Sequence, residues 1–233
     1  MTSEGLPPIE QAIDGGAETW AVVNADLAAG RISEDEWFAR HERVLTAAYL
    51  TRDDPRAQSG HSGDEPRWEA ARRPTIAAVD ADGDFLDVGC ANGYLMESVH
   101  RWAAEDGFAI EPYGVDISAG LADLARRRLP QWADRIWVGN ALYWQPPRRF
   151  DYVRTGLEYV PAGRAVDLVN HLMEVAVGRK LIIGVMNEAR DRPWRAQELV
   201  EAGYTIAGRR EWLKPDDPRV VRRVCWIGRT WLP

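Results

Sequence analysis

From residue 85 onward, short apolar runs alternate along the chain with apolar positions at helical spacing. This alternation is typical of parallel strands joined by crossover helices, and it predicts an α/β fold with a parallel sheet. After the fifth apolar run no helix is predicted, and the last two runs are joined by a turn that contains Pro215 and Pro218. The predicted strands cover residues 85–88, 110–116, 135–139, 150–155, 180–186, 204–212 and 220–229.

The chain before these strands shows a helical pattern instead. One helix is predicted from Ala17, and a second after Ser33, because Ser33 and Glu36 have the spacing of a capping box. Whether this helical pair only stabilises the sheet or closes over a substrate stays open from sequence. Residues 51–66 are rich in Pro, Gly, Ser and Asp and predict a long loop, and Pro74 is predicted to interrupt the helix that follows.

The first predicted strand ends abruptly in a turn of small residues that contains Gly89 and Gly93. Glycine permits unusual backbone angles and lets a ligand approach the main chain closely. A helical pattern follows from Tyr94, so the strand, turn and helix predict a ligand site at the carboxyl end of the sheet. The Gly-x-Gly-x-x-Gly spacing of dinucleotide folds is not met, because Ala91 occupies the position of the middle glycine.

Four segments, taken in order, resemble the motifs of class I S-adenosylmethionine-dependent methyltransferases. The first is the glycine turn, and the second places Asp116 where a carboxylate can accept hydrogen bonds from ribose hydroxyls. In the third, Asn140 replaces the acid that this family commonly carries, and its amide oxygen can still accept from an adenine amino group. The four segments are residues 85–93, 113–118, 138–142 and 150–155.

This resemblance implies a doubly wound, mostly parallel, seven-stranded Rossmann-like methyltransferase sheet whose last strand is antiparallel. It divides the chain into an N-terminal helical cap with a substrate and cofactor loop, residues 1–66, and a methyltransferase domain, residues 67–233. The implied cofactor is S-adenosyl-L-methionine, with S-adenosyl-L-homocysteine as the product. The residues implied to bind it are Asp87, Gly89, Cys90, Ala91, Asn92, Gly93, Asp116, Ile117, Ser118, Asn140, Ala141, Leu142 and Thr155.

Composition and charge narrow the possible partners. No apolar run approaches the roughly 20 residues that span a bilayer, and residues 1–5 do not resemble a signal peptide, so a cytoplasmic location is predicted. The 2 cysteines and 4 histidines lack metal-binding spacing, so no metal is expected. A net charge of −7 disfavours a nucleic-acid partner, and the basic runs at 126–128 and 222–223 are interpreted as solvated surface. The oligomeric state is left open.

Methyl transfer depends mainly on holding the acceptor atom in line with the methyl group, and it needs no protein nucleophile. A general base would help an amine or hydroxyl acceptor to lose its proton. The candidate catalytic residues are His61 in the long loop, and Glu158 and Tyr159 after the fourth predicted strand.

Lysine occurs only at Lys180 and Lys214, and this bias towards arginine is typical of GC-rich actinobacterial genomes. Within the family, the chain resembles the aminoglycoside N-methyltransferases of gentamicin-type antibiotic biosynthesis. This resemblance implies an amino group on a small cationic natural product as the acceptor, which suits the acidic net charge. An O-methyltransferase of another secondary metabolite, an RNA methyltransferase and a non-catalytic cofactor-binding module remain alternatives.

Overall fold

The computed structural model describes residues 20–229 of the 233-residue chain. The predicted helix start at Ala17 therefore lies outside the described residues. Short 3-10 helices cover Ala57–Ser59, Arg73–Ala78, Pro130–Arg135 and Leu157–Tyr159. The α-helices are α1 (Trp20–Ala28), α2 (Glu34–Leu50), α3 (Glu65–Arg72), α4 (Tyr94–Glu105), α5 (Ala119–Arg128), α6 (Ala165–Val175) and α7 (Gln197–Glu201).

The strands form a seven-stranded sheet in the order β3-β2-β1-β4-β5-β7-β6. Strands β1 to β5 pair in parallel, whereas β7 is antiparallel to both β5 and β6. The predicted fold class, a doubly wound sheet whose last strand is antiparallel, is confirmed. The strands are β1 (Gly83–Val88), β2 (Ile110–Asp116), β3 (Ile136–Val138), β4 (Phe150–Thr155), β5 (Val177–Ala189), β6 (Ile206–Lys214) and β7 (Asp217–Gly228).

The chain changes direction across the sheet between β1 and β4. From β1 it proceeds outward through β2 to β3, and it then returns to the other side of β1 to form β4 and β5. In open α/β sheets, a crevice opens at the carboxyl ends of the strands on either side of such a switch point. Here Asp87 of β1 lies directly beside Arg154 of β4 in the parallel register, so two charged residues meet at this crevice.

Alternate residues of β1 pack on opposite faces of the sheet, as the strand period of two requires. Phe85 belongs to a core cluster with Trp68 of α3 and Trp102 of α4. Leu86 belongs to a second cluster, which includes Leu168 of α6. These side chains are at most 1% exposed, and burial of each contributes about 1.5–3 kcal/mol to folding.

Several local predictions are confirmed, with small differences. Ser33 caps α2 by accepting from the Glu36 N–H at 3.2 Å, but the Glu36 carboxylate pairs with Arg40 and does not complete the capping box. Helix α3 ends at Arg72, and the chain continues through Pro74 as a 3-10 helix, as the proline predicts.

The prediction of no helix after the fifth strand was wrong, because α7 lies between β5 and β6. This helix has only five residues, too few for a clear helical period in the sequence, and its Leu199 is buried in the core. Strand β5 is also longer than predicted, since it pairs with β4 on one side and with β7 on the other.

The N-terminal helices lie across the carboxyl edge of the sheet. The Thr46 hydroxyl of α2 donates to the Ser118 hydroxyl after β2 at 2.7 Å, and the Tyr143 hydroxyl donates to Glu34 at 2.7 Å. Helices α1 and α2 are joined by a hydrogen bond from Trp37 to Asn24. The division of the chain at residue 66 stays a prediction.

Within residues 20–229, no helix is long and apolar enough to cross a membrane. The same part of the chain holds no group of three or more His, Cys, Asp or Glu residues that could bind a metal ion.

Candidate active site

The turn after β1 is tied to β2 through its main chain. The N–H groups of Gly89 and Cys90 both donate to the Val115 carbonyl oxygen, at 2.8 and 3.1 Å. Gly89 has a φ of +78°, and a Cβ at this position would lie 2.6 Å from Cε2 of Tyr159. The turn therefore requires glycine here both for its backbone angle and for the close packing of the Tyr159 ring.

Ala91 is the only non-glycine residue with a positive φ in the described part of the chain, at 46°. Its N–H donates to Oδ2 of Asp116 at 2.8 Å, and this bond helps to hold the strained backbone. Residue 91 occupies the position of the middle glycine in a dinucleotide turn, so the turn keeps a left-handed backbone even though the glycine is missing.

Replacement of Ala91 by glycine should raise the free energy of unfolding by up to about 1 kcal/mol. Relief of left-handed strain, about 1–2 kcal/mol, exceeds the entropy that an extra glycine adds to the unfolded chain, about 0.4–1 kcal/mol. Urea unfolding measures the difference. The control is Ala122→Gly in α5, which should lower stability by at least about 1 kcal/mol because helix propensity and a buried methyl group are both lost. Equal losses in the two variants would contradict the expectation.

Asp116 at the end of β2 organises the neighbouring main chain. Its Oδ2 accepts from Ala91, and its Oδ1 accepts from the Ser118 N–H at 2.8 Å. Burial raises the pKa of Asp116 to about 6, although these two N–H donors act in the opposite direction. The carboxylate is therefore ionised at neutral pH, and each oxygen keeps a lone pair for a hydroxyl donor.

A first chamber lies between α2 and the carboxyl ends of β1, β2 and β3. Asp116 supplies its carboxylate, while Asn140 contributes an amide whose Oδ1 accepts from the Leu142 N–H at 3.0 Å. Aromatic residues of α2 form the opposite wall. The lining comprises Trp37, Phe38, His41, Glu42, Val88, Asp116, Ile117, Ser118, Leu121, Gly139, Asn140 and Ala141, and residues shared with a second chamber.

The second chamber lies between α3 and the carboxyl ends of β1 and β4. The residues shared by the two chambers are Leu45, Tyr49, Ser59, Gly89, Ala91, Glu158 and Tyr159, so the two spaces adjoin across the glycine turn. The remaining lining of the second chamber comprises Gly60, Trp68, Arg72, Asp87, Cys90, Leu95, Arg154 and Val185.

A buried ion pair forms the floor of the second chamber. Nη1 of Arg154 lies 3.2 Å from Oδ1 of Asp87, with the two side chains 6% and 1% exposed. Arg154 also donates to the Gly184 carbonyl oxygen at 2.7 Å and to the Tyr159 hydroxyl at 2.8 Å. Burial raises the pKa of Asp87, whereas the Arg154 guanidinium acts against that rise and favours the ionised pair.

Two carboxylate oxygens at the second chamber are buried without a hydrogen-bond partner among residues 20–229, Oδ2 of Asp87 and Oε2 of Glu158. Such an oxygen costs about 1–3 kcal/mol unless a ligand or water supplies a donor. The chamber is thus prepared for a ligand that carries hydrogen-bond donors or positive charge. Tyr159 is a less suitable base, because burial raises its pKa to about 12.

Eleven of the predicted site residues line a chamber, namely Asp87, Gly89, Cys90, Ala91, Asp116, Ile117, Ser118, Asn140, Ala141, Glu158 and Tyr159. Cys90 lies there as a buried thiol whose pKa burial raises, so it contributes shape but no nucleophile.

Five predicted site residues are not part of the lining of either chamber. The His61 ring packs edge-on against Trp68, with ring centroids 5.5 Å apart, and its Nδ1 accepts from the Gly63 N–H. Leu142 and Thr155 are buried in the protein interior. None of these three side chains lines either chamber.

Asn92 and Gly93 are the other two, and both have structural contacts. The Asn92 amide donates to the Pro55 carbonyl oxygen at 2.9 Å and accepts from the Ser59 hydroxyl, so it ties the loop before α3 to the glycine turn. A Cβ on Gly93 would lie 2.6 Å from Leu129 Cδ1, which explains the glycine by packing against the end of α5.

Some lining residues were not identified from sequence. Arg154 was read only as part of a motif, although an arginine inside the apolar run of β4 signals a buried partner. For the α2 residues Trp37 and Phe38, nothing in the sequence distinguishes packing in the core from lining a chamber. Arg72 lies in an arginine-rich helical segment, where the sequence does not distinguish it from its neighbours.

No protein-family model matches the chain, and no curated protein matches its sequence. Solved structures do resemble it. Burkholderia thailandensis 1,6-didemethyltoxoflavin-N1-methyltransferase, determined with 1,6-didemethyltoxoflavin and S-adenosylhomocysteine, superimposes with a TM-score of 0.60 at 17% identity, over 85% of this chain and 91% of that chain. A Listeria monocytogenes protein assigned to the class I S-adenosylmethionine-dependent methyltransferases gives a TM-score of 0.52 at 11% identity, over 97% of this chain and 79% of that chain.

At these identities the similarity concerns the course of the chain and not individual side chains. It extends over 85% and 97% of this chain, so it concerns the fold as a whole. The chain therefore has the fold of the class I S-adenosylmethionine-dependent methyltransferases.

Proposed function

We propose that this protein is an S-adenosylmethionine-dependent methyltransferase. The observation that carries the proposal is the placement of two buried carboxylates, Asp87 and Asp116, at the ends of neighbouring strands and in adjoining chambers. A ligand lying across the glycine turn would meet both of them. A nucleoside joined to an amino-acid end has this division of polar groups.

The residues present fit this cofactor. Asp116 keeps lone pairs for the two ribose hydroxyls, and Asn140 offers amide groups to an adenine edge beside Ile117 and Ala141. The unpartnered Oδ2 of Asp87 would accept from an ammonium group in the second chamber. The same cofactor is implied by the sequence motifs, and S-adenosylhomocysteine is bound in the Burkholderia structure.

When bound, S-adenosyl-L-methionine would supply a methyl group activated by its positively charged sulfur. The protein's contribution is to orient the reactants, because an in-line displacement depends on geometry. Glu158 lies at the wall shared by both chambers, so its unpartnered Oε2 would accept the proton that an amine or hydroxyl acceptor loses. Tyr159 is held by Arg154 and orients this wall.

We propose an amine of a small molecule as the acceptor. The Burkholderia enzyme methylates a nitrogen of a small heterocycle, which supports this class, and the sequence resemblance points to an aminoglycoside amine. In the described lining of the second chamber, however, Asp87 is paired with Arg154, and Arg72 adds a further positive charge. This charge balance does not favour a polycation, so an aminoglycoside is one arm of the test. A hydroxyl acceptor is the second candidate, because Glu158 would serve either atom.

Methyl transfer tests the proposal. The protein is incubated with S-adenosyl-L-methionine carrying a labelled methyl group and with aminoglycosides, aromatic amines, phenols and RNA, and the products are identified by mass spectrometry. We expect one labelled methyl on a nitrogen, and Glu158→Gln should lower kcat by about a hundredfold or more, the range of general-base removal. Binding of cofactor without labelling of any acceptor would indicate a non-catalytic cofactor-binding module. Methylation of a phenol or of RNA alone would contradict an amine as the acceptor.

A further inference from the structure

The Arg72 side chain lies at the second chamber without a partner of opposite charge. Its guanidinium carbon lies 5.5 Å from the centroid of the Trp68 ring, and the side chain is half-buried at the end of α3. It makes no hydrogen bond or ion pair with any side chain or main-chain group of residues 20–229. Glu158 lines the same chamber but forms no ion pair with it.

Neighbouring arginines are different. Arg73, the next residue, pairs with Glu69, Glu105 and Asp106, and Arg154 pairs with Asp87 across the same chamber. Arg72 is only half-buried, so its unpaired guanidinium carries no large desolvation cost, and it is placed to pair with an anion that enters the chamber. The contact with Trp68 satisfies the flat face of Arg72 and leaves its N–H groups available.

The nature of these N–H groups defines the missing partner. A guanidinium presents a rigid, planar fork of donors whose geometry matches the two oxygens of a carboxylate. Burial and then the positive charge of Arg154 lower the pKa of Arg72, although Glu158 acts in the opposite direction, so an anion beside Arg72 would offset the lowering. The unpartnered Oδ2 of Asp87 lies in the same chamber and would accept from a cationic group of the same ligand.

We propose that Arg72 binds a carboxylate that a ligand brings into the second chamber. This inference rests on the proposed function, because the ligand is either the amino-acid end of the cofactor or the methyl acceptor. In the first case Arg72 and Asp87 together recognise a zwitterionic end. In the second case Arg72 selects acidic acceptors.

Calorimetric titration distinguishes the two sources. S-adenosyl-L-homocysteine and 5′-methylthioadenosine, which lacks the amino-acid end, are titrated into the wild type and into Arg72→Gln. Arg73→Gln is the matched control, because it removes the same charge one residue away and disrupts only partly exposed ion pairs, which contribute little. Circular dichroism of each variant checks that it is folded.

If the cofactor supplies the carboxylate, Arg72→Gln should lower the affinity for S-adenosyl-L-homocysteine by about ten- to a hundredfold, as expected for the loss of a charge-assisted hydrogen bond. The affinity for 5′-methylthioadenosine should stay unchanged. If the acceptor supplies it, both affinities stay unchanged. Aromatic and aliphatic carboxylic acids should then raise the unfolding temperature of the wild-type complex with S-adenosyl-L-homocysteine. The corresponding amides should not raise the unfolding temperature, and the increase caused by the acids should be absent in Arg72→Gln.

Arg72→Gln with unchanged cofactor affinity and an unchanged response to carboxylic acids would overturn the inference. If the wild type binds neither nucleoside, the proposed function fails instead. The carboxylic acids are then tested without cofactor. Stabilisation that depends on Arg72 would support the anion site alone, and its absence would overturn the site as well.

Discussion

Replacing Asp87 with alanine will lower the free energy of unfolding by about 3–5 kcal/mol, because the substitution leaves the Arg154 charge buried without its carboxylate. Urea unfolding followed by tryptophan fluorescence gives the value. The same variant will lose affinity for S-adenosyl-L-homocysteine, since Oδ2 of Asp87 is the proposed acceptor for its ammonium group. The large stability cost distinguishes this carboxylate from the others at the site.

A matched control for this prediction lies on the same strand. Asp84 pairs with Arg148 near the surface, with side chains 27% and 44% exposed, so Asp84→Ala should cost about 1 kcal/mol or less. The double variant Asp87→Ala with Arg154→Met should recover part of the loss, because it removes the unpaired charge. Equal costs for the Asp84 and Asp87 variants would show that the buried pair is not essential.

The second large effect is expected at Asp116. Asp116→Ala should lower the affinity for S-adenosyl-L-homocysteine by about a hundredfold or more, since two charge-assisted hydrogen bonds to the ribose are lost. The substitution also leaves the N–H groups of Ala91 and Ser118 without their acceptor, so the turn loses its support from β2. Calorimetry measures the affinity, and Asp116→Asn should retain more of it because the amide oxygen still accepts.

Asp123 provides the control for Asp116. It lies on α5 in an exposed pair with Arg126, and Asp123→Ala should bind S-adenosyl-L-homocysteine as the wild type does. If a folded Asp116→Ala variant binds S-adenosyl-L-homocysteine with wild-type affinity, Asp116 does not contribute to cofactor binding.

The sheet could be predicted well from sequence because its central strands are buried on both faces. The predicted bounds of β2 and β4 coincide with those observed, Ile110–Asp116 and Phe150–Thr155. Both are short segments bounded by turns, and their length of six or seven residues favours a strand over a helix. By contrast, the five-residue α7 was missed because it is too short to show a helical period.

The site could be predicted where a residue ends a strand or follows it within a few positions. Asp87, Gly89 and Asp116 were placed by the strands they end, and the structure brings them to one edge of the sheet. Their roles in binding remain proposals. Partners that are distant along the chain depend on packing between elements, which sequence periodicity does not describe.

Asn92 and Arg154 illustrate this limit. Asn92 lies within the motif, but its amide is occupied by the loop that precedes α3, which only the folded chain brings near. Arg154 is 67 positions from Asp87 in sequence, and the two meet because β1 and β4 are neighbours in the sheet. The wall that α2 contributes to the first chamber depends on the docking of that helix across the strand ends.

Titration of the wild-type protein with S-adenosyl-L-homocysteine tests the central claim most directly. We expect one molecule bound per chain with a dissociation constant of about 100 μM or lower, equivalent to a binding free energy of about −5.5 kcal/mol or more favourable. Absence of binding to the folded wild-type protein at millimolar ligand would contradict the assignment of the two chambers to this cofactor.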